Sequence, residues 1–309
     1  MRLAYFGTSE FAATILRRIA ASPYRPVLVL TPPDRRRGRG RKSAPPPAAI
    51  AARELDLAFH QSADVNDEET RAALDLAGVD LGLVCAFGQL LRAPLLDRVE
   101  LLNVHPSLLP RWRGAAPIER ALMAGDSETG VAIIKVSEEL DAGPVALCET
   151  VPIDSRDDFA SLAERLAAVG GELAVDALAR HEAGELRFTP QAEQGMTYAG
   201  KVEPAERRLD PGRPAAELGR IVRALNPHLG TYLELDSGER LGVTRAEPVA
   251  APRPAPGDLA QADGTMVLGC VDGALRIVGV RPPGKREMAA ADYLRGHPLP
   301  RVAPTERAP

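Results

Sequence analysis

The chain predicts an α/β protein: a Rossmann-like, doubly wound, mostly parallel sheet, followed by a C-terminal OB-like β-barrel. Three observations carry that reading. The chain opens as strand, helix, strand, the unit from which parallel sheets are built. Apolar runs at 79–87 and 130–136 then alternate with stretches of helical periodicity. From Gly230 onward the pattern changes to short strands broken by turns such as Asp236-Ser237-Gly238 and Asp272-Gly273. The domains are accordingly expected at 1–188 and 205–309, with a polar linker at 189–204.

In order, residues 2–6 read as a first strand buried on both faces, and Gly7-Thr8-Ser9 as a turn with a helix cap. Residues 11–21 are helical, with Phe11, Ile15, Leu16 and Ile19 on one face. Residues 26–31 form a second strand. The first turn, Gly7-Thr8-Ser9-Glu10-Phe11, lacks the G-x-G-x-x-G fingerprint, so no nicotinamide cofactor is expected. Helices follow at 48–57 and 67–77, a buried strand at 79–87 ending at Gly88, a strand at 101–105 and a helix at 116–124. Strands at 130–136 and 145–151 flank the turn Leu140-Asp141-Ala142-Gly143-Pro144, and a long amphipathic helix covers 156–183. A helix at 214–225 precedes strands at 231–235, 240–246, 264–270 and 274–280.

Composition excludes little. At 309 residues, 45% hydrophobic and 26% charged, the chain has ordinary globular composition. The net charge of −4 does not announce a nucleic-acid binder. Three scattered cysteines, Cys85, Cys148 and Cys270, read as reduced core residues of a cytoplasmic protein, with no paired metal spacing among Cys or His. No apolar run is long enough to span a membrane. The first residues enter a strand directly, so no signal or transit peptide is expected. A monomer is the expected state.

The chemistry centres on Asn103-Val104-His105-Pro106. Residues at i and i+2 of a strand point to one side, and Pro106 ends the strand. Asn103 and His105 alone suit a structural loop as well as a site. Asp141, in a turn after another apolar strand, adds a carboxylate, and strand ends of such sheets share one crevice. An amide, an imidazole and a carboxylate suit acyl transfer. Asn103 would bind an oxyanion. His105 would be a second donor or a proton acceptor, and Asp141 would orient the imidazole and favour its charged form. Ser107 is a weak candidate nucleophile, so the attacking group is expected on the substrate, for example an amine.

The loop at 32–47 is unusual. Six of the eight residues from Arg35 to Lys42 are basic: Arg35, Arg36, Arg37, Arg39, Arg41 and Lys42. A solvated charge run and a phosphate-binding arm suited to RNA backbone are both consistent with it. Gly38 and Gly40 are expected to keep it flexible.

At these residues the sequence resembles the folate-dependent formyltransferases, through Asn103-Val104-His105-Pro106-Ser107-Leu108-Leu109-Pro110 with Leu140-Asp141-Ala142-Gly143. Phe6-Gly7-Thr8, Pro33-Asp34-Arg35, Arg111-Trp112-Arg113-Gly114, Thr197-Tyr198-Ala199, Arg223-Ala224-Leu225-Asn226-Pro227 and Arg281-Pro282-Pro283-Gly284-Lys285 are similar to the members of that family that act on methionyl-tRNA. The resemblance implies transfer of a formyl group from 10-formyltetrahydrofolate to the α-amine of methionine on initiator methionyl-tRNA, with no metal. It implies catalysis by Asn103, His105 and Asp141. Ser107, Leu108, Leu109 and Pro110 would hold the folate, with Phe87 and Gly88. The basic arm, above all Arg39, would contact tRNA, with Lys201 and Lys285. The chain departs from the family's usual pattern at Arg36-Arg37, at Gly200 and at His228-Leu229, where Trp-Pro is common. Formyltransferases of amino-sugar nucleotides or glycinamide ribonucleotide have no need of the arm or barrel. A non-catalytic RNA binder would leave the Asn-His-Asp set idle.

Overall fold

The structure, a computed structural model, describes residues 1–37 and 42–304, and of residues 36, 37 and 42 only the backbone. The chain divides into two units. The first comprises Met1–Pro117, Glu128–Pro152 and Ala163–Gly200; the second comprises Ile118–Ser127, Ile153–Leu162 and the chain from Lys201 onward.

Strand β1 (Leu3–Gly7) is buried at every position, as expected of a central parallel strand. Helix α1 (Glu10–Ala20) starts where the Ser9 side chain accepts the Ala12 N–H, with Glu10 in its first turn. The elements then run β2 (Leu28–Thr31), β3 (Arg35–Arg37), β4 (Lys42–Ala44), α2 (Pro47–Glu54), β5 (Phe59–Gln61) and α3 (Glu68–Leu76), which Asp67 caps. After these come β6 (Leu81–Cys85), the short α4 (Ala93–Leu96), β7 (Glu100–His105), β8 (Arg113–Gly114), α5 (Pro117–Ala124), β9 (Glu128–Lys135), β10 (Val145–Pro152), α6 (Phe159–Glu182) and β11 (Tyr198–Ala199).

The main sheet has the order β10-β9-β7-β6-β1-β2-β5. From β7 to β5 it is parallel; β9 and β10 are each antiparallel to their neighbour. The pair β9–β10 is antiparallel for a local reason: it is joined directly through residues 136–144, and a connection that short cannot cross over to a parallel partner. The strand β5 and the pair β8–β11 are absent from the sequence expectation because each is three residues or fewer, too short for a period to register. The described ends of the basic arm pair as short antiparallel strands: Arg35 with Ala44, Arg36 with Ser43 and Arg37 with Lys42.

Leu83 of β6 is fully buried, flanked in the sheet by the fully buried Tyr5 of β1 and Leu102 of β7. Leu83→Ala is expected to destabilise the protein by about 2–5 kcal/mol, read from denaturant midpoints at constant slope. Cys85 and Cys270 are buried, and burial pushes the Cys85 thiol up to about 12. Cys148 departs from the core expectation: it is exposed on β10, the edge strand of the sheet.

In the second unit a 3-10 turn (Pro204–Arg207) precedes α7 (Ala215–Leu225), β12 (Thr231–Glu234), β13 (Arg240–Val249), β14 (Leu259–Ala262), β15 (Thr265–Gly269), β16 (Ala274–Arg281), β17 (Met288–Ala289) and α8 (Ala290–Gly296). The strands pair in the order β12-β13-β16-β15-β14, all antiparallel, with β17 added on β16. No ladder joins β12 to β14, so the sheet stays partly open, as OB-type barrels do. Helix α7 packs Leu218, Ile221, Val222 and Leu225 inward. Arg120 of α5 makes two bonds to Glu206 and one to the Lys201 carbonyl. The His228 departure keeps a flat ring in place: its imidazole stacks on Phe159 at 3.6 Å and meets Glu119 at 3.0 Å. Among the described residues no helix is long and apolar enough to cross a membrane.

Candidate active site

Strand alternation sets the centre of the site. Val104 of β7 is buried in one direction, while Asn103 and His105 both point to the opposite face, where each meets Asp141. The Asn103 amide nitrogen donates to Asp141 Oδ1 at 3.1 Å. His105 Nδ1 lies 3.6 Å from Asp141 Oδ2, and the Gly114 N–H donates to that same oxygen at 2.9 Å. The structure thus gathers all three residues expected from the sequence.

It gathers them differently from the expectation of strand ends converging on one crevice. Leu102 pairs with Lys135 and His105 with Ala132, so β9 runs away from the carboxyl end of β7. The β9–β10 connection therefore starts beside the amino-terminal half of β7, and Asp141 returns over the face of the sheet. Its backbone takes φ 50°, sparsely populated by residues other than glycine. The approach is close: a Cβ on Gly143 would lie 1.7 Å from the Lys135 carbonyl oxygen.

His105 is 4% exposed and its other nitrogen, Nε2, lies 2.8 Å from the Trp112 carbonyl oxygen. A carbonyl only accepts, so Nε2 carries a hydrogen. Both ring nitrogens therefore face protein acceptors, and an oxyanion gains His105 only by displacing the Trp112 carbonyl. Trp112 is itself at φ 65°, and its N–H donates to Thr197 Oγ1 at 2.9 Å. The Asn103 amide has two hydrogens, and one bond to Asp141 leaves the second for a ligand.

Ser107 is fully buried and its hydroxyl donates to the Arg111 carbonyl at 2.7 Å, which commits its hydrogen to the loop. Leu108, Leu109 and Pro110 are half-buried. Phe87 is buried edge-on against Phe6 at 5.7 Å, while Gly88 is exposed at φ 79°. Arg35, Lys201 and Lys285 are exposed. Arg39 and Arg41 lie outside the described residues, as do the side chains of Arg36, Arg37 and Lys42. Among the described residues no group of three or more His, Cys, Asp or Glu side chains could hold a metal ion.

Several contributors escape a sequence reading. Gln191, in the stretch expected as a linker, donates to the carbonyls of Asp141 at 2.7 Å and Gly143 at 2.8 Å. Arg113, 6% exposed, donates to Gln191 Oε1 at 2.9 Å. Thr197 lies one residue before β11, whose pairing with β8 fixes the Trp112–Gly114 backbone. For Arg113 and Thr197 the signal is that the runs at 111–114 and 197–199 both carry the family resemblance; Gln191 lies outside both runs.

A Formyl transferase model matches residues 1–178, and the Formyl transferase, C-terminal domain model matches residues 201–298. Methionyl-tRNA formyltransferase of Aromatoleum aromaticum is 43% identical over 303 residues, covering 97% of this chain and 95% of that protein. The chain belongs to the methionyl-tRNA formyltransferase family. Another member, from Parvibaculum lavamentivorans, is 40% identical over 97% of this chain and 98% of its own length. The fold extends beyond the family. An N-formyltransferase from Helicobacter canadensis, solved with folinic acid and dTDP-3-aminofucose, superposes with a TM-score of 0.65 at 13% identity over 93% of this chain and all of its own. HypX from Aquifex aeolicus, solved with tetrahydrofolic acid, gives 0.62 at 22% identity over 95% of this chain. The chain spans about half the length of HypX, 47% of it.

Proposed function

We propose that the protein transfers the formyl group of 10-formyltetrahydrofolate to the α-amine of methionine carried by initiator methionyl-tRNA. The observation that carries this reading is the meeting of Asn103, His105 and Asp141 over one sheet face, with no free protein nucleophile beside them among the described residues. Ser107, the nearest hydroxyl in sequence, is buried and committed. The attacking group is then the substrate's amine, and the protein's task is to hold the developing oxyanion and orient the two substrates. Asn103 keeps one amide hydrogen on Asp141 and gives the other to the oxyanion. His105 gives its Nε2 hydrogen in exchange for the Trp112 carbonyl. Asp141, accepting from Asn103 and Gly114 and facing His105 Nδ1, holds both donors in place.

Leu108, Leu109 and Pro110 supply side-chain surface for the folate, with Gly88 leaving room beside it; Ser107 and Phe87 shape that surface from beneath. The basic arm at 35–42, with Arg35, Arg36, Arg37, Arg39, Arg41 and Lys42, takes tRNA phosphates, aided by Lys201 and Lys285. The reading carries with it a cytoplasmic, monomeric enzyme.

Incubation with 10-formyltetrahydrofolate and methionyl initiator tRNA should yield formylmethionyl-tRNA, and no product would end this reading. Deleting residues 35–42 is expected to lower kcat/KM for tRNA by about 10–100-fold and to flatten its dependence on salt, because fewer counterions are released on binding. Tetrahydrofolate affinity, measured by calorimetry, should not change. A deletion variant with unaltered tRNA kinetics would remove the arm from the mechanism.

A further inference from the structure

We infer that Gln191 is a positioning residue for formyl transfer: its amide fixes the backbone turn that carries Asp141, and Arg113 fixes the amide. The inference rests on the function proposed above.

Asp141 must hold one carboxylate against Asn103, His105 and Gly114 at once, yet it sits at positive φ in a connection folded back over the sheet. Such a conformation persists only where its surroundings determine it. Gln191 supplies that determination. Its Nε2 has two hydrogens, and two carbonyls of the turn, those of Asp141 and Gly143, lie 2.7 and 2.8 Å from it. Its Oε1 accepts from Arg113 Nε at 2.9 Å. Turned about, the amide would set oxygen against two carbonyls and nitrogen against a guanidinium, so its orientation is dictated chemically. Arg113 is buried, with Glu139 3.6 Å from its guanidinium. It also precedes Gly114, whose N–H holds the Asp141 carboxylate. One dipeptide therefore grips Asp141 twice: at the side chain through Gly114, and at the backbone through Arg113 and Gln191.

Two substitutions test this. Gln191→Ala removes the amide, and Gln191→Glu keeps its size but points a carboxylate at the two carbonyls. Both are expected to lower kcat by about 10–100-fold, the scale of a small misplacement of reacting groups. KM for either substrate should move by no more than about twofold, since nothing that binds substrate is removed. In an Asp141→Asn background Gln191→Ala should cost less than about a further twofold, because residues acting through one group are not additive. Full activity in Gln191→Glu, or full additivity with Asp141→Asn, overturns the proposal.

Amide hydrogen exchange at Gly114, followed by NMR with isotope-labelled glycine, needs no substrate. It should speed up at least about tenfold in Gln191→Ala as the carboxylate moves off the Gly114 N–H. Unchanged exchange there overturns the proposal as well. Should the wild-type protein fail to formylate methionyl-tRNA, the function reading fails alone, and Gly114 exchange still decides the role of Gln191.

Discussion

Asn103→Ala is expected to lower turnover at least about 100-fold, the usual loss on removing one donor to a developing oxyanion. Its amide has one hydrogen on Asp141, and in the function proposed above the other serves the oxyanion, so the substitution would remove that donor and one of the carboxylate's partners together. Asp141 keeps the Gly114 N–H, which limits the structural part of the loss. The loss should therefore appear in kcat, with KM for tRNA and for the folate little changed. Steady-state kinetics with each substrate varied in turn measures this. Near-normal kcat would leave Asn103 as a spacer on the sheet face and remove it from the chemistry.

Asp141→Asn is expected to be comparably severe, at least about 100-fold in kcat, by analogy with other sites where an Asp orients a catalytic imidazole. Asp141 only accepts: Oδ1 faces the Asn103 amide, and Oδ2 faces the Gly114 N–H and His105 Nδ1. An asparagine has one acceptor and one NH2. Whichever way it turns, a donor faces a donor, against Asn103 in one orientation and against Gly114 in the other. It also removes the charge facing the His105 ring. Retained turnover would mean that Asp141 serves packing alone. An unchanged thermal midpoint would separate the catalytic loss from unfolding.

Parts of this arrangement were legible in the sequence because they depend on short-range rules. Two residues apart on a strand means one face, and Asn103 and His105 obey it. A capped helix after β1, and strands apolar at every position, imply a parallel sheet, and β1 and β6 are such strands. The rest depends on where the chain goes afterwards. β9 runs antiparallel to β7, so the connection that carries Asp141 starts beside the amino-terminal half of β7 and folds back over the sheet to reach the site. Gln191 lies 50 residues beyond Asp141 and reads locally as linker, since an amide in a polar stretch has no period. Cys148 follows the apolar run Val145-Ala146-Leu147 yet lies on an edge strand. The arm's basic composition was visible, but the pairing of its described ends was not, because Arg-rich strands carry no alternation to read.

The pairing of β8 with β11 also bears on when the protein becomes active as it is made. The seven strands of the main sheet have all left the ribosome once Pro152 emerges, and Asn103, His105 and Asp141 are by then present. Gln191, Thr197 and β11 are still to come. A nascent chain paused before Gln191 would contain Asn103, His105 and Asp141 but lack the amide that bonds the Asp141 and Gly143 carbonyls. The three side chains of the centre thus precede, in order of synthesis, the segment whose amide completes the hydrogen bonding of the Asp141 turn.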